Sequence, residues 1–111
     1  MSTILQTVKE FIGPSSSYDV FDPQLKMSIN TAFFKIYQLG VGDKPFVVES
    51  GEETWADFYD GDDLEILKTI VCLNTRVLFD PPTNSSLLNA INEQIKEYES
   101  RLNYEVDPRN E

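Results

Sequence analysis

The chain of 111 residues contains no histidine, and this absence excludes several kinds of chemistry. Histidine is the usual general base and the commonest metal ligand, so Ser-His-Asp and Cys-His catalytic arrangements and Cys/His zinc sites are excluded. The five glycines are scattered, so the chain has no glycine-rich phosphate-binding loop. We therefore expect a protein that is not an enzyme, with no catalytic residues, no metal site and no cofactor.

Cysteine, basic residues and long apolar runs are also scarce. Cys72 is the only cysteine, so we expect a buried thiol in a reducing compartment. The chain has nine basic and 19 acidic residues. The resulting net charge of −10 argues against a protein whose main function is to bind nucleic-acid phosphates. No segment approaches the roughly 20 apolar residues of a membrane span, and a signal-peptide pattern is missing, so we expect a soluble protein with no membrane partner.

The second half of the chain predicts a helical hairpin. Apolar residues from Leu64 to Phe79 would cover most of the circumference of a helix, which is typical of a buried central helix. The two prolines that follow stop this helix, because proline has no N–H and disfavours helical geometry in the residue before it. We expect Phe79, Asp80, Pro81 and Pro82 to form a rigid elbow. A second helix then packs back on the first through a stripe of residues spaced three and four apart: Leu88, Ile91, Ile95, Tyr98 and Leu102.

The first half predicts two further helices. Ser2 is expected to cap the first, which ends at Gly13-Pro14, and Asp22-Pro23 is a start signal for the second, which ends at Gly40. Phe34 and Tyr37 fall off the apolar stripe of this second helix. They either widen its buried face or are lightly covered and await a partner.

The segment between Val41 and Asp63 is the least regular. Pro45 to Val48 fits a short strand or an extended loop. Thr54 is expected to cap a single helical turn that holds Trp55 and Phe58. After Leu102 the apolar pattern ends. The predicted architecture is mainly α, a small bundle of about four helices over residues 1–102, with an extended C-terminal tail over residues 103–111.

Seven acidic residues and no basic residue occur from Glu49 to Asp63. A helix-loop-helix calcium site does not fit this stretch. With Gly61 at the turn position, Ala56, Phe58 and Leu67 fall where ligands are required. We expect a solvated surface, with Asp62 or Asp63 capping the next helix, where the helix dipole favours negative charge.

Several motifs resemble one known family. The segment from Arg76 through Leu78-Phe79-Asp80-Pro81-Pro82 to Ser86, continued by Glu93-Gln94-Ile95 and Arg101-Leu102-Asn103, is similar to the C-terminal half of the head–tail connector proteins of tailed bacteriophages. These are also called adaptor or head-completion proteins. Gln38-Leu39-Gly40-Val41-Gly42 and Thr54-Trp55-Ala56-Asp57-Phe58 fit the same pattern further upstream.

The resemblance implies a structural virion protein of the phage neck, assembled in the cytoplasm of the bacterial host. Members are small helical bundles that form a ring, generally twelvefold, beneath the portal protein. The ring extends the DNA channel without binding DNA specifically and offers a docking surface to stopper or tail proteins. The resemblance also implies that the C-terminal tail, with Tyr104, Val106, Pro108 and Arg109, docks on the portal.

A second hypothesis comes from the acidic stretch alone. A small phage-type protein with clustered carboxylates can act as a DNA mimic that occupies the groove of a nucleic-acid-binding enzyme. Such a mimic requires charges spread along a surface at phosphate-like spacing. The assembly size in solution separates the two hypotheses, because a mimic is expected to be a monomer or dimer and a connector is expected to form rings.

Overall fold

The computed structural model describes residues 3–13 and 19–106, with residues 103–106 described by their backbone alone. Within these ranges the chain forms α1 (Ile4–Ile12), a 3₁₀ turn (Asp19–Phe21), α2 (Asp22–Gln38), α3 (Trp55–Phe58), α4 (Leu64–Phe79) and α5 (Ser85–Val106). The only β-type pairing in the described part is an isolated bridge between Thr3 and Thr54. The prediction of a small, mainly helical bundle is confirmed.

α4 is the central helix, as its apolar circumference predicts. α1, α2 and α5 all pack against it. Its buried residues lie in the range 67–75 and include a cysteine and two polar residues: Leu67, Ile70, Val71, Cys72, Leu73, Asn74 and Thr75. The helix ends at Phe79, where the N–H of Asp80 still donates to the carbonyl of Arg76 at 2.8 Å. The stop predicted from the two prolines is therefore in place.

The helix starts in the first half differ in detail from the prediction. Thr3, not Ser2, caps α1, and its Oγ1 accepts a hydrogen bond from the N–H of Gln6 at 3.0 Å. Ser2 itself lies outside the described residues. Asp22 is the first residue of α2 rather than its cap, because the 3₁₀ turn precedes it. Its carboxylate instead lies 2.7 Å from the ammonium of Lys9 and ties α2 to α1.

The segment between α2 and α4 is an extended loop and not a strand. The side-chain amide of Asn30 holds both backbone groups of Val48: Oδ1 accepts from its N–H at 2.7 Å, and Nδ2 donates to its carbonyl at 3.0 Å. Further along, Thr54 and Asp57 form a capping box around α3, which confirms the predicted cap. Side-chain hydrogen bonds from α2, rather than backbone hydrogen bonds of a sheet, thus hold the loop at Val48.

Trp55 and Phe58 of α3 hold the loop against the core, as predicted. The Phe58 ring packs edge-to-face on Phe33 of α2 with 4.7 Å between centroids. The indole N–H of Trp55 donates to Oγ1 of Thr7 in α1 at 3.0 Å. Phe34, by contrast, is 48% exposed, so the alternative that it widens the buried face of α2 is wrong. Tyr37 is half-buried beside it.

The last helix runs past its predicted end. α5 continues to Val106, so residues 103–106 are not part of an extended tail. The chain between Leu102 and Val106 has no helix breaker, and the first one is Pro108, which disfavours helical geometry at Asp107.

Candidate assembly site

The predicted hairpin core is formed by α4 and α5. Ile91 and Ile95 are buried against Leu73 of α4, with Val77 and Tyr98 packed around them. Leu102, further along α5, is fully buried in the main core of the bundle, and Tyr98 contacts both clusters. Leu88 is half-buried at the start of the stripe. Four of the five predicted stripe residues, Ile91, Ile95, Tyr98 and Leu102, thus belong to the apolar clusters of the bundle.

The elbow joins these two helices beside the start of α2. The Phe79 ring packs edge-to-face on Phe21, with 6.1 Å between centroids. Pro81 is exposed and Pro82 is half-buried. A shallow cavity of about 390 Å³ lies here, lined by Phe21, Gln24, Ser28, Leu78, Phe79 and Asp80. The elbow thus lies beside the exposed apolar side chains of Phe21 and Leu78.

Asn84 fixes the direction in which the chain leaves the elbow. Its side-chain Oδ1 accepts a hydrogen bond from the N–H of Leu87 at 3.1 Å, and its carbonyl accepts from the N–H of Leu88 at 3.0 Å. Asparagine is a favoured residue immediately before a helix for this reason. The sequence carried this signal, since Asn84 directly precedes the predicted second helix of the hairpin.

A groove lies between α2 and α5 and is lined by residues of α2, α4 and α5. The ammonium of Lys35 lies 3.1 Å from Glu99 Oε2 and donates to Oδ1 of the buried Asn74 at 3.1 Å. The groove encloses about 610 Å³ and has Thr31, Asn89 and Asn92 on its walls. Sequence reasoning missed this three-helix link because its members are distant in sequence and each looks like an ordinary surface residue.

The acidic stretch is partly used for local structure. The Glu53 carboxylate accepts hydrogen bonds from the N–H groups of Glu49, Ser50 and Gly51 at 2.9 to 3.2 Å. Burial opposes ionisation of Glu53, but these backbone donors outweigh it and lower its pKa to about 2. Asp57 belongs to the capping box of α3. Asp63 occupies the position before α4, as predicted, although its side chain makes no capping hydrogen bond.

Neither a metal site nor a reactive thiol is apparent in the part of the chain that the structure describes. No three acidic or cysteine side chains converge to hold a metal ion there. Cys72 is buried in α4, and this desolvation raises the pKa of its thiol to about 12, which keeps it protonated and unreactive. No described helix is both long and apolar enough to span a bilayer.

The structure describes only two of the four residues of the predicted docking tail. Tyr104 and Val106 belong to the last turn of α5, and Pro108 and Arg109 lie outside the described residues. The backbone of Tyr104 and Val106 lies at the opposite end of the 22-residue α5 from the elbow.

Comparison with protein families decides between the two hypotheses. A family model described as phage connector protein matches residues 4–109, which is nearly the whole chain. The chain belongs to the phage connector protein family. Comparisons with curated proteins and with solved structures find no match.

Membership in the connector family gives the helical hairpin a context. Connector proteins are structural components of the virion that interact with portal and tail proteins. The match includes the elbow, both helices of the hairpin and the acidic stretch, together with the first two helices, for which the sequence motifs offered no resemblance. The match therefore covers all the described helices, not only the segments whose motifs resemble the family.

Proposed function

We propose that this connector protein assembles as a ring, twelvefold in the family's general pattern, beneath the portal of a DNA-filled capsid. The ring extends the DNA channel and offers a docking surface to stopper or tail proteins. Its subunits are made and assembled in the cytoplasm of the bacterial host. The observation that carries the proposal is the connector match over residues 4–109.

The charge of the chain suits a channel through which DNA moves. Tight DNA binding requires clustered basic side chains that neutralise phosphates. Most described basic side chains are instead paired within the subunit. Lys9, Lys35, Lys68, Lys96 and Arg101 all have carboxylate partners within 4 Å. Few cations remain to retain DNA, so we propose that it passes without specific binding.

The docking role proposed for the C-terminus is changed by the longer α5. We now assign portal attachment to the last turn of α5, which contains Tyr104 and Val106, together with the residues that follow it, including Pro108 and Arg109. An attachment segment that begins on a rigid helix has a fixed starting direction. This reduces the conformational entropy lost on binding relative to a fully extended tail.

The test is truncation after Val106, where the described helix ends. We expect the shortened protein to keep its helical content and its melting temperature, because the removed residues follow the last helix. It should nevertheless lose attachment to capsids that carry the portal, as measured by co-sedimentation. A matched control replaces residues 107–111 with a Gly/Ser sequence of equal length and should also fail to attach. Attachment of both variants at full strength would show that residues 107–111 do not take part in portal docking and would contradict their assignment.

A further inference from the structure

An aromatic cavity lies beside the end of α2 and the loop that follows it. It encloses about 690 Å³, and its walls include the rings of Phe33, Phe46, Phe58 and Tyr59. The three phenylalanine rings pack on one another with 4.7 to 5.5 Å between centroids, and the Tyr59 ring lies 5.9 Å from that of Phe58. Phe46, Phe58 and Tyr59 are only partly buried, so a side chain that entered this cavity would contact aromatic rings.

The loop at the rim of this cavity has an open backbone edge. The side chain of Asn30 holds the N–H and the C=O of Val48. In an extended chain the backbone groups of successive residues point to alternate sides, so those of Val47 point away from Asn30. Within the part of the chain that the structure describes, the backbone groups of residues 42–47 have no hydrogen-bond partner. Such an edge can pair with another extended chain.

The composition of this edge suits strand pairing. Phe46, Val47 and Val48 are residue types enriched in strands, and a proline such as Pro45 is tolerated at the edge of a sheet. Among the described residues no strand lies beside them. A segment with strand composition and a free pairing edge therefore borders a cavity that can receive a side chain. Proteins that bind peptides by strand addition combine these two features, because the edge supplies affinity and the pocket supplies specificity.

The charges around the aromatic cavity favour a basic occupant. Asp43 lines the cavity, and Lys44 is the one basic residue among its lining residues. Tyr59 belongs to the stretch from Glu49 to Asp63, which contains seven acidic residues and no basic one. Burial and the nearby carboxylates of Asp63 and Asp62 raise the pKa of the Tyr59 phenol. Carboxylates therefore outnumber ammonium groups around the cavity.

An arginine or lysine side chain matches both properties of the cavity. Its methylene stem packs on apolar walls, and its cation is attracted by the faces of aromatic rings and by carboxylates. We propose that an extended, basic segment of the protein that docks on the connector ring pairs with the backbone of Val47 and inserts one basic side chain into the aromatic cavity. The inference rests on the proposed function and deepens it by naming the docking edge and the chemistry of the partner.

Synthetic peptides test the chemistry of the occupant. The probe is a capped heptapeptide in which valine and arginine alternate, and its binding to the full chain is measured by fluorescence anisotropy. It should bind at least about tenfold more tightly than the same peptide with glutamate in place of arginine. A backbone N-methylated form of the basic peptide has the same charge but cannot pair, so it should bind as weakly as the acidic one. Equal binding of the basic peptide and either control would overturn the proposal.

Variants of the loop test the edge and the charges separately. Val47→Pro should weaken binding of the basic peptide about tenfold, because proline lacks the N–H that would pair with the peptide. Proline favours an extended residue before it, which suits this loop, and an unchanged melting temperature checks the fold. Val47→Ala keeps the N–H and is the matched control. Equal losses for the two variants would overturn the strand pairing.

Two neighbouring positions should respond with opposite signs. Asp43→Asn removes a carboxylate from the cavity and should weaken binding of the basic peptide, whereas Lys44→Gln removes an ammonium group and should strengthen it. Changes of the same sign, or no change in either variant, would overturn the basic occupant.

Assembly on portal rings separates this inference from the proposed function. Val47→Pro should leave the connector ring in place but prevent attachment of the stopper or tail protein, and Val47→Ala should permit it. Loss of the connector ring itself in Val47→Pro would assign the edge to a second copy and would overturn the proposal. Failure of the unmodified chain to form a ring would count against the proposed function alone, because the peptides are measured on the isolated chain.

Discussion

At the scale of single residues, Glu53 shows that an acidic cluster can be structural. Three backbone N–H groups of the preceding loop donate to its carboxylate. The charged group therefore stabilises the conformation of the loop and is not a free ligand-binding group. An unfolded glutamate has a pKa near 4.5, and folding lowers that of Glu53 to about 2. A group with a lowered pKa stabilises the folded state above its unfolded pKa and loses this effect as the pH falls through the folded value.

We therefore expect the free energy of unfolding to decrease as the pH is lowered from about 4.5 toward 2. The variant Glu53→Gln should be less stable at neutral pH and should lose part of this pH dependence. Denaturant unfolding at a series of pH values measures both. Glu52→Gln is the matched control, because the exposed Glu52 side chain makes no hydrogen bond to the described residues. Identical pH profiles for Glu53→Gln and the unmodified chain would refute the role of the carboxylate.

The sequence predicts residue roles well where the partners are adjacent in a standard motif. Thr54 was identifiable as a cap because it precedes an apolar turn and has an acid three residues later. The roles of Glu53 and Asn30 could not be predicted in this way. Glu53 acts on an irregular loop, and Asn30 substitutes for a strand partner of Val48 across a large separation in sequence.

At the scale of elements, the hairpin of α4 and α5 contains a small apolar cluster of its own. Ile95 is 4% exposed and packs with Leu73 and Ile91 in a cluster separate from the main core. A small cluster of this kind has few neighbours that can move to fill a cavity. The stability of the hairpin should therefore be sensitive to the loss of a single buried side chain.

Replacing Ile95 with alanine should cost about 2–5 kcal/mol of the free energy of unfolding, because buried methyl groups are lost and a cavity remains. Chemical denaturation measures the change. Gln94→Ala is the control on the exposed side of α5, and a change within about 0.5 kcal/mol is expected for it. If Ile95→Ala also cost no more than about 0.5 kcal/mol, the apolar stripe would not be what packs α5 against α4.

Helix positions were predictable because proline and apolar spacing act locally. The end of α4 at Phe79 follows from Pro81 and Pro82, and the inward stripe of α5 follows from its spacing. Loss of the apolar pattern after Leu102 predicts an earlier end for α5 than the structure shows. A polar turn remains helical until a residue breaks it, and here the first such residue is Pro108.

At the scale of the whole molecule, the arrangement of helices depends on contacts that no local pattern reveals. The link between Lys35, Asn74 and Glu99 joins α2, α4 and α5, and it leaves a groove between the two outer helices. The sequence predicted a bundle of helices, but only the structure shows which surfaces remain outside it.

The charge of the whole molecule also bears on assembly. Each subunit carries a net charge of −10, so a ring gathers many negative charges around one channel. A carboxylate-rich contact between subunits would oppose such a ring, because like charges repel. The family match and the pairing of most described basic side chains within the subunit support the same account of a connector subunit.

Electron microscopy of portal rings incubated with the purified chain tests this account most directly. The portal should come from the phage that encodes the chain, and bare portal rings are the reference. The account predicts an additional ring of density on one end of the portal, with twelve equal subunits around the channel. Portal rings that remain bare, or that carry isolated copies without a closed ring, would contradict it.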